Sequence, residues 1–113
     1  MLVNIQNGQI RDYPFNVVTN TFNAPITLAA NGGIVSSVLY VGTSGVAGMV
    51  DLTGNLHVVY WTNGNHILHG AYTYNSATNA LASVSSFFQV DTAGGANHPS
   101  VAISPTDNSL MVA

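Results

Sequence analysis

The sequence contains no cysteine, no lysine, no glutamate and one arginine in 113 residues. Without cysteine it has neither disulfides nor thiolate metal sites. With one cation and a net charge of −3 it has no cluster of positive charge to hold a phosphate backbone or an anionic bilayer. Nucleic acid and membrane are therefore set aside as partners. No apolar run approaches the roughly 20 residues of a membrane-spanning helix. Met1 to Gln6 has no basic residue and no long apolar core, so as it stands it is not a secretion leader. A long amphipathic helix is excluded as well, because the residues that normally solvate its outer face are missing.

Charged residues make up 4 % of the chain and hydrophobic ones 47 %, so solubility rests on Asn, Thr, Ser and Gly. Such a surface fits a protein that packs against copies of itself or works outside the cell. The length is one domain's worth of core, without room for a separate substrate lobe.

What is present is strand and turn. Met49 to Trp61 holds an apolar run, an interruption at Asp51 to Asn55, and then Leu56, Val58 and Tyr60 alternating with His57, Val59 and Trp61. Gly54-Asn55 tolerates the positive φ of a tight reversal, so the stretch predicts a hairpin. Ser100 to Val112 repeats the plan with Pro105-Thr106-Asp107-Asn108 as the turn. Further strands are expected at Met1 to Gln6, Ile10 to Val18 with Pro14 at an edge or bulge, Ile26 to Leu28, Ile34 to Val41, His66 to Tyr74 and Ser85 to Val90. Asn75 to Ala82 and Asp91 to Pro99 read as loops.

The two halves align with a period of about 56 residues: Asn7-Gly8 falls on Asn63-Gly64, Ile10 on Ile67, Phe15 on Tyr72 and Leu56 on Leu110. Large residues change parity between Ile10 and Phe15, and again between Ile67 and Tyr72, which predicts a bulge at one place in both copies. The expected class is all-β: two four-stranded antiparallel units, about 1–56 and 57–113, each the size of a propeller blade.

Asn97-His98-Pro99-Ser100-Val101-Ala102-Ile103 followed by Leu110-Met111-Val112-Ala113, and Val50 to Trp61, resemble the repeats of sialidase-like (BNR-type) β-propellers. The family's Asp-box turn, Ser-x-Asp-x-Gly-x-x-Trp, is departed from here: Asp51 is followed by Leu52-Thr53-Gly54, and Trp61 lies farther on. Two blades do not close a ring, since propellers use about 4 to 8, and a lone pair exposes apolar faces and strand edges. Copies of the chain are therefore expected to complete a ring through their terminal strands, two or three at a time, in the manner of small two-blade lectins. The alternative is a fragment of a larger propeller.

For chemistry, His57, His66, His69 and His98 are the one concentrated titratable set. His66 and His69 point to opposite faces of a strand, so no metal site is expected. The four aspartates, Asp12, Asp51, Asp91 and Asp107, show no spacing that pairs two of them, and Arg11 alone cannot clamp a substrate carboxylate. No catalytic residue and no cofactor is assigned. Sugar recognition needs an aromatic face and a few amides or hydroxyls. Trp61, Asn63, Asn65, His66 and Tyr72 supply these at a strand end and are the expected ligand-binding residues, with glycan as the ligand class. The leading expectation is a non-catalytic, self-assembling carbohydrate-binding module. The alternatives are a scaffold unit, such as an assembly building block or part of a virion or fibre surface, and an inactive piece of a sialidase-like glycosidase.

Overall fold

Alternation decides the central sheet. The computed structural model describes residues 1–6, 9–28, 46–61, 66–92 and 98–113. In it, Leu56, Val58 and Tyr60 are 1 %, 0 % and 0 % exposed on one face of their strand. That strand, β7 (Asn55–Trp61), follows β6 (Val46–Val50) and precedes β8 (Ile67–Asn75) and β9 (Ala80–Gln89). The four form an antiparallel sheet in the order β6-β7-β8-β9. N-terminal to it lie β1 (Leu2–Gln6), β2 (Gln9–Tyr13), β3 (Phe15–Asn16), β4 (Thr21–Phe22) and β5 (Ile26–Thr27). C-terminal to it are β10 (Val101–Ile103) and β11 (Leu110–Val112). β1-β2-β5 is a three-stranded sheet, while β3-β4 and β10-β11 are two-stranded pairs. The described residues are all-β, and among them there is no helix long and apolar enough to cross a membrane.

Both expected hairpins form. In the first, Asp51 N–H donates to Asn55 O, and Gly54 carries the positive φ of 91°. In the second, Ser104 N–H donates to Ser109 O, and Asn108 takes the corresponding place at φ 61°. Asp51 and Asp107 each bind the backbone N–H and the hydroxyl of the residue two further on, Thr53 and Ser109. Short polar side chains satisfying nearby backbone donors are what make these segments turns.

The N-terminal and central sheets repeat one another more closely than the composition shows. Asn16 pairs with Thr21 around residues 17–20, and Asn75 with Ala80 around residues 76–79. Each opening Asn accepts the N–H two residues on, from Val18 and Ala77, and each loop ends on a left-handed Asn, Asn20 at φ 56° and Asn79 at φ 49°. The recurring motif is Asn-x-x-Thr-Asn, in which Asn tolerates the left-handed conformation that closes the turn.

From this turn the equivalences follow by register. Phe15 matches Tyr74, Phe22 matches Leu81, Asn23 matches Ala82, and Asp12, facing Ile26, matches Ala71, facing Ser85. The two sheets are thus offset by two residues from the alignment that paired Phe15 with Tyr72. A step of two preserves the side-chain parity, so the hydrophobic pattern is blind to it. The expected irregularity is present in both: the strand breaks at Pro14, and the β8–β9 register shifts around Ala71.

Other boundaries differ from expectation. The loop expected at Asn75 to Ala82 contracts to residues 76–79, and β9 begins at Ala80 rather than at Ser85, because the Asn-bounded turn reverses the chain early. The strand expected to run to Val18 ends at Asn16 for the same reason. The expected strand Ile34 to Val41 and the Asn7-Gly8 and Asn63-Gly64 turns lie outside the described residues.

The core is the junction between these sheets. Ile10 and Leu28 from the first pack with Leu56, Val58, Tyr60, Tyr72 and Phe87 from the second. Tyr60 meets Phe87 edge to face at 4.9 Å. Burying such side chains contributes about 1.5–3 kcal/mol each. At the edge of the junction β6 lies so close to β1 that a Cβ on Gly48 would stand 2.7 Å from Val3 Cγ2. Polar contacts seal the outer end: Asn23 Nδ2 donates to Tyr74 Oη at 3.1 Å, and Asn79 Nδ2 to Ala24 O at 3.2 Å. On the other side of the central sheet β10 lies beside β6, and Leu52 N–H donates to Asn108 Oδ1 at 2.8 Å.

Candidate functional site

Register separates the expected ligand-binding residues. Trp61 pairs with Ile67 at one end of the β7–β8 ladder, and Tyr72 pairs with Leu56 at the other. Tyr72 is 4 % exposed beneath Phe87, since it shares the core-facing side with Tyr60. It belongs to the core and not to a surface shared with Trp61. Asn63 and Asn65 lie outside the described residues.

Trp61 and His66 stand together at the strand end, joined by His98 and Asp91. Trp61 is half-buried with its ring 5.4 Å from that of His98, tilted by 42°. His98 is held at φ 51° ahead of the buried Pro99. His66 Nδ1 lies 3.0 Å from Asp91 Oδ2, and Asp91 Oδ1 accepts Ile67 N–H at 2.8 Å. The hydrogen bond from His66 holds the Asp91 carboxyl below the usual carboxylate range; burial opposes this and the Ile67 N–H adds to it. The Asp91 backbone carbonyl in turn accepts from Gln89 Nε2 at 2.9 Å. The site is a ring pair, an imidazole and a fixed carboxylate at one end of the central sheet. Asp91 has no signal in sequence, because its partner is 25 residues away.

A second polar group sits on the face of the central sheet turned away from the core. His57 Nε2 is 3.0 Å from Asp51 Oδ2, and His57 Nδ1 is 3.0 Å from His69 Nε2. The two imidazoles stack at 5.2 Å, and Phe88 meets His69 edge-on at 5.3 Å. Burial alone raises the Asp51 carboxyl, but bonds from His57, the Thr53 hydroxyl and the N–H groups of Asn55 and Thr53 outweigh it. They hold Asp51 well below the usual carboxylate range. His69 is pushed below the ordinary histidine value by desolvation and then by the neighbouring His57.

The proton count of this chain is limited. With both rings neutral, His69 Nε2–H donates to His57 Nδ1, and His57 Nε2–H donates to Asp51. One added proton is accommodated on His57 if the bond between the rings reverses and His69 carries its remaining proton on Nδ1. A second added proton sets two N–H groups face to face across 3.0 Å and breaks the chain. In the N-terminal sheet the matching positions are Val3 and Ile10, both apolar. His66 and His69 are divided between these two groups. Among the described residues no cluster of three or more His, Cys, Asp or Glu side chains is arranged to hold a metal ion.

A groove of about 430 Å³ lies between the two Asn-x-x-Thr-Asn turns, lined by Phe15, Asn16, Val17, Val18, Asn23, Tyr74 and Ser76. It has no charged wall. The chain matches no family model, no curated protein and no solved structure.

Proposed function

We propose that the chain is a non-catalytic β-propeller module that associates with copies of itself and binds carbohydrate at the strand-end loops around Trp61 and His66. The observation that carries this reading is the recurrence of one sheet plan along the chain: the same turn and the same register step in the N-terminal and central sheets, which pack face to face around Ile10, Leu28 and Tyr60. Sheets stacked face on face with apolar faces on both sides are the packing a propeller uses, and each such unit needs a neighbour on either flank. Exposed Phe15, Phe22, Val84 and Phe88 on these units favour association. Trp61 beside His66 and the fixed Asp91 carboxylate combines a ring surface with hydrogen-bonding groups, which suits a sugar.

A scaffold role is the second reading, favoured by the contact between Trp61 and His98, which gives the indole a packing partner. Light scattering across protein concentration tests the assembly: a mass of 11.8 kDa at all concentrations rejects it. Titration with neutral and acidic monosaccharides, followed by Trp61 fluorescence, tests the ligand. Saturable quenching or a blue shift supports binding, and a silent indole across the panel leaves the scaffold.

A further inference from the structure

Resting on that self-associating reading, we infer that two copies of the chain join head to tail by repeating the internal junction, with the Phe15 turn of one copy seated on Ala82 and Ser83 of the next. The junction between the N-terminal and central sheets is the template. There the Asn79 turn carries Tyr74 onto Asn23 and Ala24: Asn23 Nδ2 donates to Tyr74 Oη, and Asn79 Nδ2 donates to Ala24 O. By register, the residues matching Tyr74 and Asn79 are Phe15 and Asn20, and those matching Asn23 and Ala24 are Ala82 and Ser83.

Both halves of this second junction are exposed. Phe15 is 42 % exposed on the N-terminal sheet, and Ala82, Ser83 and Val84 are exposed on β9, Val84 at 58 %. The substitutions between template and copy are matched. Tyr74 becomes Phe15 and Asn23 becomes Ala82, so the phenol and the amide that bonds it are lost together. A hydrogen-bonded pair inside the chain is replaced by an apolar pair on two separate surfaces, which is the change that keeps the two complementary. The turn itself points the same way. Asn75 to Asn79 makes it with Ser76 and Ala77, whereas Asn16 to Asn20 makes it with Val17 and Val18, 81 % and 90 % exposed. The fold of the turn does not call for two β-branched apolar residues; a partner does.

Association has a competitor within the chain. β11 pairs with β10 as β7 does with β6, and β1 stands in the N-terminal sheet where β7 stands in the central one, so the incoming β1 claims the place of β11. β11 is held by three register pairs and β1 has five with β2, so β11 yields and β10 becomes a neighbour of the incoming β1.

The test is a double-mutant cycle on the full chain, read as the association constant by sedimentation. Ala82→Asn buries an amide without a partner and is expected to weaken association at least about fivefold; Phe15→Tyr, whose hydroxyl can donate to Asn20 as Tyr74 does to Asn79, is expected to weaken it less, and the double variant, which rebuilds the template pair, restores it. Met111→Pro, at an exposed position of β11, is expected to tighten association. If the wild-type chain associates but the two substitutions act independently, or Met111→Pro weakens association, the interface is elsewhere and this inference fails while the self-association reading stands. If the wild-type chain stays monomeric at all concentrations, both fail.

Discussion

His57 Nδ1 and His69 Nε2 lie 3.0 Å apart between neighbouring strands, at positions filled by Val3 and Ile10 in the preceding sheet. One fold position is therefore solved twice, once with apolar side chains and once with a polar chain anchored on Asp51. A polar chain tolerates loss of one member poorly, because the remaining partner stays buried without its bond. His69→Ile alone is expected to lose ~1–3 kcal/mol in urea unfolding. His57→Val with His69→Ile, the N-terminal sheet's own solution, is expected to regain at least half of that loss.

Asp12 is fully buried. Burial pushes its pKa up to about 6, against weaker lowering by the chain's N-terminal ammonium and the Tyr13 N–H. A raised acid pKa means that the folded state holds the proton more tightly, so stability falls as pH rises from about 4 to about 6, by ~3 kcal/mol. His69, held below its ordinary value, works with the opposite sign: its contribution is present above about 6.5 and is lost as the pH falls below that. Between pH 4 and 6.5 the wild-type profile is expected to carry both contributions, with opposite slopes. Asp12→Asn should be more stable at pH 7 and show the rising histidine limb alone, measured by denaturant unfolding at each pH.

Below that window the depressed carboxylates of Asp51, Asp91 and Asp107 take over. Their stabilisation is present above the ordinary aspartate value, about 4, and is lost as the pH falls through their folded values. Asp51→Asn removes the carboxylate that His57 and Thr53 share. It should raise the acid midpoint of unfolding, followed by circular dichroism, more than Asp107→Asn does, because Asp107 is exposed.

Asn20 and Asn79 close the same turn with φ of 56° and 49°. Alanine at either costs ~1 kcal/mol for the left-handed backbone. Asn79 also donates to Ala24 O and accepts from Tyr74 Oη, so Asn79→Ala is expected to cost ~2–3 kcal/mol and Asn79→Gly nearly as much. At Asn20, glycine should be close to neutral. Thermal unfolding of the four variants separates backbone strain from lost hydrogen bonds.

Gly48→Ala places a methyl group 2.7 Å from Val3 Cγ2 and is expected to cost ~1–3 kcal/mol. Val3→Ala in the same chain makes room and should recover part of it. Failure of that recovery in urea unfolding would remove the close β1–β6 approach.

The amino-acid pattern by itself determined the all-β class, both hairpins, and the place of the irregularity around Pro14 and Ala71, because turn chemistry and side-chain alternation are local properties of the chain. It also held the alternation that buries Leu56, Val58 and Tyr60. What tertiary structure alone decided is which alternating positions face a neighbour. Tyr72 went to the core because its face meets Ile10 and Leu28. Asp91 joined His66, and His57 joined His69, across gaps that no local spacing encodes. The two-residue offset between the sheets was likewise settled by pairing, since a step of two leaves every hydrophobic residue on its own side and only the hydrogen-bond ladder distinguishes the registers.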